Sequence, residues 1–315
     1  MSKATVGRLG ALSLIWGSVF LWIKIAGYAF SPVQMVLARL VLGAVVLVAV
    51  GYARGLRLPT DRKIWFHLTV AALIGNAIPW VLYAQGERHG SSSIAAVVNG
   101  TAPVWTLCAT LVLAQGTRIG WAKIAGAALG LSGTVLVAAP WSSSGATPRM
   151  SILCFLLGSI SFGSSFAYMG KFLAGRGIPP LMLAGGQLSA ASVLLLLVTP
   201  FMGLSPIHFK TESVVALIVL GVICTGLAAL LNFELVLKDG SAVASTVTYL
   251  MTVVAVILGA AVLNEPMGWT VAVGALAVLG ATALLRRQPK AKPAPAVEPE
   301  KPAGVTAAGV AAAAE

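Results

Sequence analysis

The chain has 315 residues, of which 58% are hydrophobic and only 10% charged, with a mean hydropathy of +0.93. Soluble domains carry about 25% charged residues, so this chain has too little polar surface to cover a globule in water and reads as an all-α, multi-span membrane protein. Its formal charge of +12 lies in loops and the C-terminal segment, where it sets orientation; it is not the footprint of a nucleic-acid partner.

Met1 to Arg8 is a short basic start ahead of the first apolar run. That run is about as long as a membrane span and holds Lys24, with no small-residue cleavage site before the next run, so it reads as a retained helix and not a signal peptide. Counting it, ten apolar segments of about 20 residues lie near 9–29, 33–53, 64–85, 93–114, 119–139, 151–172, 181–203, 213–237, 242–263 and 267–285. All are read as helices, because lipid leaves no other partner for the backbone amides. The connections between them are short and marked by Gly and Pro, as at Ser31-Pro32, Pro59, Asp239-Gly240 and Glu265-Pro266.

Most of these spans carry polar or aromatic residues near their middles: Trp16 and Phe20 in the first, Asn76 and Trp80 in the third, Asn99 and Thr101 in the fourth. The sixth holds Ser164 and Tyr168, the eighth Thr225 and Asn232, the ninth Thr248 and Tyr249. A ligand site wants an apolar lining with a few placed polar groups, and this set supplies one; each residue alone also suits an interhelical hydrogen bond. Arg39 stands about seven residues into the second span, where a cation costs roughly 2.5–3.5 kcal/mol and must face protein or water. It is a candidate partner for a substrate carboxylate, or a gate; snorkelling to the interface or a bond to a neighbouring helix is the competing reading. Lys24, nearer a span end, reads as a snorkelling residue.

Pro79 and Pro103 are expected to kink the third and fourth spans. Gly126, Gly130 and Gly133 in the fifth and Gly274 and Gly280 in the tenth let helices approach closely, and read as packing strips within one chain or across a homodimer. Glu234 is the one good candidate for a proton relay, but a pairing with Lys238 one turn on is the better reading. Beyond Arg287 the residues are Ala, Pro, Lys, Glu and Gly without an aromatic, which reads as a disordered tail over 288–315.

No catalytic, metal or cofactor constellation emerges. Cys108, Cys154 and Cys224 are odd in number and lack a ligand spacing, and His67, His89 and His208 stand singly near span ends. No phosphate loop or nucleophile elbow is present. No cofactor and no enzymatic activity are expected.

Two larger patterns organise the spans. Shifted by 148 positions, residues 16–139 fall on 164–287: Pro32 meets Pro180, Ile119-Gly120-Trp121 meets Met267-Gly268-Trp269, and Gly126 meets Gly274. A repeat of five spans, an odd number, places the second copy upside down relative to the first, as in transporters built around a central site. With both termini in the cytoplasm, fifteen Lys and Arg fall on inner loops, among them Arg8, Arg54, Arg62, Lys171 and Lys238, against Arg88, Arg149 and Lys210 outside, a strong positive-inside bias.

Trp16-Gly17-Ser18, Lys24, Pro32 and Arg39 resemble the start of an EamA-type repeat of the drug/metabolite transporter superfamily, and Pro103 matches its fourth-span proline. Glu265-Pro266-Met267-Gly268-Trp269 with Gly274 resembles its last turn. The chain departs from that pattern at Thr117, opposite Glu265, and at Gln187, opposite Arg39. The resemblance implies ten transmembrane helices from two inverted five-helix EamA repeats, over 8–139 and 150–287. It further implies a cavity among spans one, three, four, six, eight and nine, and an inner-membrane carrier that exports small metabolites, amino acids or drugs by alternating access. The residues expected to bind substrate are Trp16, Phe20, Arg39, Asn76, Trp80, Asn99, Tyr168, Asn232 and Tyr249. An importer, a channel or a non-transporting scaffold are the rival readings.

Overall fold

A computed structural model describes residues 3–113, 121–138, 148–201, 206–207, 209–264 and 269–285, and the described residues contain helices and no strand. The helices are α1 (Lys3–Ala26), α2 (Pro32–Ala53), α3 (Arg62–Glu87), α4 (Ser92–Leu113), α5 (Trp121–Ala138), α6 (Arg149–Phe172), α7 (Pro180–Phe201), α8 (Thr211–Asp239), α9 (Val243–Leu263) and α10 (Trp269–Leu285). Eight of them, all but α5 and α10, are long and apolar enough to cross a membrane. The expected segments at Thr117, Glu265 to Gly268 and 288–315 lie outside the described residues.

Local chemistry sets several starts. Ser31 and Gln34 form a capping box at the head of α2, with Pro32 in its first turn. Asp61 caps α3 and Ser91 caps α4 through backbone N–H groups two and three residues on. Gly240, at φ +90°, turns the chain between α8 and α9, a conformation that favours glycine.

Eight helices close into a ring. Going round it, α1 packs on α9, α9 on α4, α4 on α6, α6 on α3, α3 on α7, α7 on α2, α2 on α8, and α8 back on α1. α5 and α10 pack chiefly on each other, beside α4. Exchanging each helix for the one five places along returns the same set of neighbours, so the 148-residue sequence repeat is a symmetry of the packing as well.

Cross-helix contacts also fix directions. Ser13 and Gly17 of α1 meet Val247 and then Met251 of α9, so these two run parallel. Ala96 and Asn99 of α4 meet Thr252 and then Met251, so α4 opposes α9. Thr101 and Thr106 meet Ser159 and then Gly163, so α6 runs with α4 and against α1. Arg8 meets Glu234 while Ile25 meets Ser213, so α8 opposes α1; Gly86 meets Phe155 while Gly75 meets Ser165, so α3 opposes α6. These relations bring Lys3, Arg8, Arg62, Lys63, Lys171 and Lys238 to one end of the bundle, here the Lys3 end; the opposite, Ala26 end holds the turn between α3 and α4.

Several helices are irregular at mid-depth. α4 breaks at Gly100-Thr101, α9 at Thr246 and α1 at Ser18. At each break a hydroxyl donates to the carbonyl three residues back, Thr101 to Val98, Thr246 to Val243 and Ser18 to Ile15, offering that carbonyl a local partner. α3 and α8 carry wide π turns over Leu73–Ala77 and Val219–Leu227, and the shift of 148 maps the first onto the second. Pro79, just beyond the first, cannot donate to the carbonyl of Gly75, but Leu227 occupies its place in α8. Proline is therefore not the general cause. In α8 the π turn lies where Gly221 and Gly226 bring its backbone against Gly43 and Leu42 of α2.

Candidate functional site

The two π turns face each other across the ring axis, and polar side chains meet there. Arg39 is 1% exposed. Its Nε donates to Thr225 Oγ1 on the α8 π turn at 2.9 Å, and its guanidinium lies over the Trp80 ring, 4.1 Å from the centroid. Stacking on a desolvated indole is favourable, but it does not neutralise the charge. Among the described residues no carboxylate stands within ion-pair distance of Arg39.

Gln187, the counterpart of Arg39 in the second copy, makes the matching crossing. Its Nε2 donates to Asn76 Oδ1 on the α3 π turn at 2.5 Å and to the Ala71 carbonyl at 3.2 Å. Each copy thus sends one polar side chain from its second helix onto the π turn of the other copy. The two crossings differ in charge.

Two small cavities lie along the axis. One, of about 20 Å³, is lined by Trp16, Asn76, Trp80, Phe162, Ser165, Gln187, Cys224, Thr225 and Asn232 among others. The other, of about 30 Å³, is lined by Trp16, Phe20, Arg39, Trp80, Tyr83, Asn99, Phe162 and Met251 among others, and lies nearer the Ala26 end. Such volumes hold one or two waters and no metabolite, so a ligand needs the aromatic walls to part. Those walls interlock edge to face, Trp16 on Phe162 and Phe20 on Tyr83. Asn232 Oδ1 is buried beside the first cavity with no hydrogen-bond partner, an acceptor that costs roughly 1–3 kcal/mol while unmet.

The structure gathers seven of the nine expected site residues around these cavities: Trp16, Phe20, Arg39, Asn76, Trp80, Asn99 and Asn232. Asn99 is held there by Tyr83, whose hydroxyl donates to its Oδ1 at 2.5 Å, and by Met251. Tyr168 lines neither cavity. It lies toward the Lys3 end, where its hydroxyl meets His67 Nδ1 at 2.8 Å and the imidazole stacks on Phe172. The side chain of Tyr249 is outside those described. Glu234 sits between Arg8, at 2.8 Å, and Lys238, at 3.1 Å; Arg8 is the addition to the expected pair. Gln187, Cys224, Tyr83, Phe162 and Met251 were not expected at the site. The repeat itself signals two of them, since Gln187 aligns with Arg39 and Cys224 with Asn76.

Comparison with known proteins agrees with this architecture. A crystal structure of a protein 20% identical to this chain superposes with a TM-score of 0.64, covering 91% of this chain and 97% of the other. An uncharacterized inner membrane transporter of Escherichia coli, YedA, is 30% identical over 275 residues, 83% of either chain. An uncharacterized transporter of Archaeoglobus fulgidus is 25% identical across 88% of this chain and 95% of its own length. A probable terminal-alkyne amino-acid exporter of Streptantibioticus cattleyicolor is 29% identical over 138 residues, 44% of this chain and 46% of its own. The profile of the EamA-like transporter family matches residues 9–139 and 149–287, nearly the whole helical bundle, and the chain belongs to that family of membrane transporters.

Proposed function

We propose that this protein is an inner-membrane carrier that exports small organic metabolites bearing a carboxylate, amino acids above all, by alternating access through the axial cavities. The observation that carries the reading is Arg39. It is a buried cation without a carboxylate partner, positioned by Thr225 and Trp80 where both copies meet. A buried charge left without a partner is strongly unfavourable, and a substrate carboxylate relieves that cost. The rest of the lining suits an apolar or aromatic body, with Asn232 Oδ1 free to accept from an ammonium group. The name of the Streptantibioticus relative, an amino-acid exporter, supports the same class.

In this reading α5 and α10 also span the membrane, giving ten spans in two repeats over 8–139 and 150–287, followed by a cytoplasmic tail over 288–315. The opposed directions of α1 and α6, and of α3 and α8, support the inverted relation. The charges collected at the Lys3 end support placing both termini in the cytoplasm. Trp16, Phe20, Arg39, Asn76, Trp80, Asn99 and Asn232 form the binding site.

The test is counterflow in proteoliposomes, with labelled amino acids outside and a panel of unlabelled ones inside. A carrier shows trans-stimulation for the compounds that it binds. Flux without trans-stimulation indicates a channel, and no flux across the panel removes the amino-acid reading. Cells lacking the protein should accumulate the same compounds inside.

A further inference from the structure

Corresponding helix ends are arranged differently at the two mouths of the ring. At the Ala26 end α1, α3 and α4 close tightly: Ile23, Ala26, Glu87, Ser92 and Ser93 are 3%, 0%, 2%, 1% and 3% exposed. Their counterparts 148 residues on surround the Lys3 end. There Lys171 and Gly240 are exposed and Ala174 and Ser241 half-buried, with only Leu235 buried. These ends part around a vestibule of about 570 Å³ between α4, α6, α8 and the start of α9. Met169 and Phe233 face the axial cavity from the same helices whose Gly170 and Val236 line the vestibule.

The closed mouth is fastened by polar groups. Lys24 Nζ donates to the carbonyls of Glu87 and Gly90 at 3.0 and 3.1 Å, holding α1 to the last turn of α3, where a cation suits the helix C-terminus. Ser92 Oγ, at the head of α4, lies 3.0 Å from Glu87 Oε2 and 3.4 Å from the Phe20 carbonyl of α1. One short cluster therefore ties three helices. At the other mouth Phe172, Leu235 and Gly240 stand in the places of Lys24, Glu87 and Ser92, and none can make such bonds with its side chain; the polar ties at that end join other pairs, Lys171 to the Leu113 carbonyl between α6 and α4, and Arg8 to Glu234 and Thr5 to Asp239 between α1 and α8. A cavity of about 140 Å³ beside Lys24, Glu87 and Tyr28 has room for the water needed to solvate these groups once they separate.

We infer that Lys24, Glu87 and Ser92 form a lock on the outer gate with no equivalent at the corresponding positions of the inner gate, so that the carrier rests with its cytoplasmic mouth accessible and opens outward only when the lock is broken. This rests on the carrier reading and on the inside-positive orientation. An exporter gains from it: the empty protein waits on the side where its cargo is made, and the outer mouth stays closed to back-flow.

Thiol accessibility tests the lock without any substrate. In a full-length chain with Cys108, Cys154 and Cys224 replaced by Ala, Ile23→Cys reports on the outer mouth and Ser241→Cys, beside the vestibule, on the inner one. A membrane-impermeant maleimide is applied to oriented vesicles of each sidedness. Ser241→Cys should react readily from the cytoplasmic side and Ile23→Cys slowly from outside. Adding Lys24→Ala with Ser92→Ala removes several net hydrogen bonds. It should raise Ile23→Cys labelling about tenfold or more while lowering that of Ser241→Cys; Lys24→Arg, which can reach the same carbonyls, should restore the original pattern. Unchanged rates overturn the proposal. So does a rise at both sites together with a lowered melting temperature, because that marks a loosened bundle and not a shifted gate. Counterflow on the same vesicles judges the carrier reading separately, since labelling asks nothing of a substrate.

Discussion

Arg39 has three properties that pull in different directions: it is charged, nearly without solvent exposure, and bonded through only one guanidinium nitrogen to a neutral hydroxyl. Lysine has no planar face for Trp80 and no Nε–H to set against Thr225. Arg39→Lys should therefore keep the fold but weaken substrate affinity by about tenfold to a hundredfold, the scale of a charged hydrogen bond, read as a raised KM in counterflow. Tyr168→Phe makes the opposite case. Its hydroxyl serves His67 away from the cavities, so KM should stay within about twofold of the parent while the melting temperature falls by the few degrees that one hydrogen bond supplies. That Arg39 faces protein and not lipid was legible from sequence, because a cation in an apolar run must find a polar partner or water; its bond to Thr225 on a neighbouring helix is one of the two partners expected of it. Tyr168 was misleading because mid-span position says nothing about which face of a helix a side chain takes. Its neighbour Met169 reaches the axial cavity and it does not.

The irregular turn of α3 was legible only as a disturbance near Pro79, and that of α8 not at all. A π turn inserts one residue into an otherwise regular helix and leaves no mark in hydropathy, and although Pro79 pointed to a disturbance, the longer π turn in α8 has no proline. Deleting one residue from Leu73–Ala77 tests what the turn does. The helix should become regular, and because a π turn absorbs one extra residue the segments on either side should keep their faces while the wide turn itself is lost. Asn76, carried on that turn, would lose its place against Gln187. Transport should be lost with helical circular dichroism retained; preserved transport would show that the turn positions nothing. Glycine at the helix crossings makes a second case. A Cβ on Gly43 would lie 2.9 Å from Thr225 Cγ2 and 3.0 Å from the Gly221 carbonyl, and a backbone carbonyl cannot step aside. Gly43→Val should push α2 from α8, cost about 1–3 kcal/mol, and appear as a lower melting temperature in detergent.

At the scale of the whole molecule, the sequence repeat foretold more than the individual spans did. It implied two equivalent halves, and the ring order α1, α9, α4, α6, α3, α7, α2, α8 realises that equivalence contact by contact. What it could not foretell was how the halves interleave, because helices of one copy find their ring neighbours largely in the other. The last helix of each copy, α5 and α10, stands apart from the ring and grips its counterpart along most of its length, with Gly130 against Ala281 and Gly280 against Leu129. That grip joins the half ending near residue 139 to the half beginning near residue 149 without any help from the peptide bonds between them. Two separately translated polypeptides, cut between those positions and produced in one cell, should find each other in the bilayer and co-purify as an active pair.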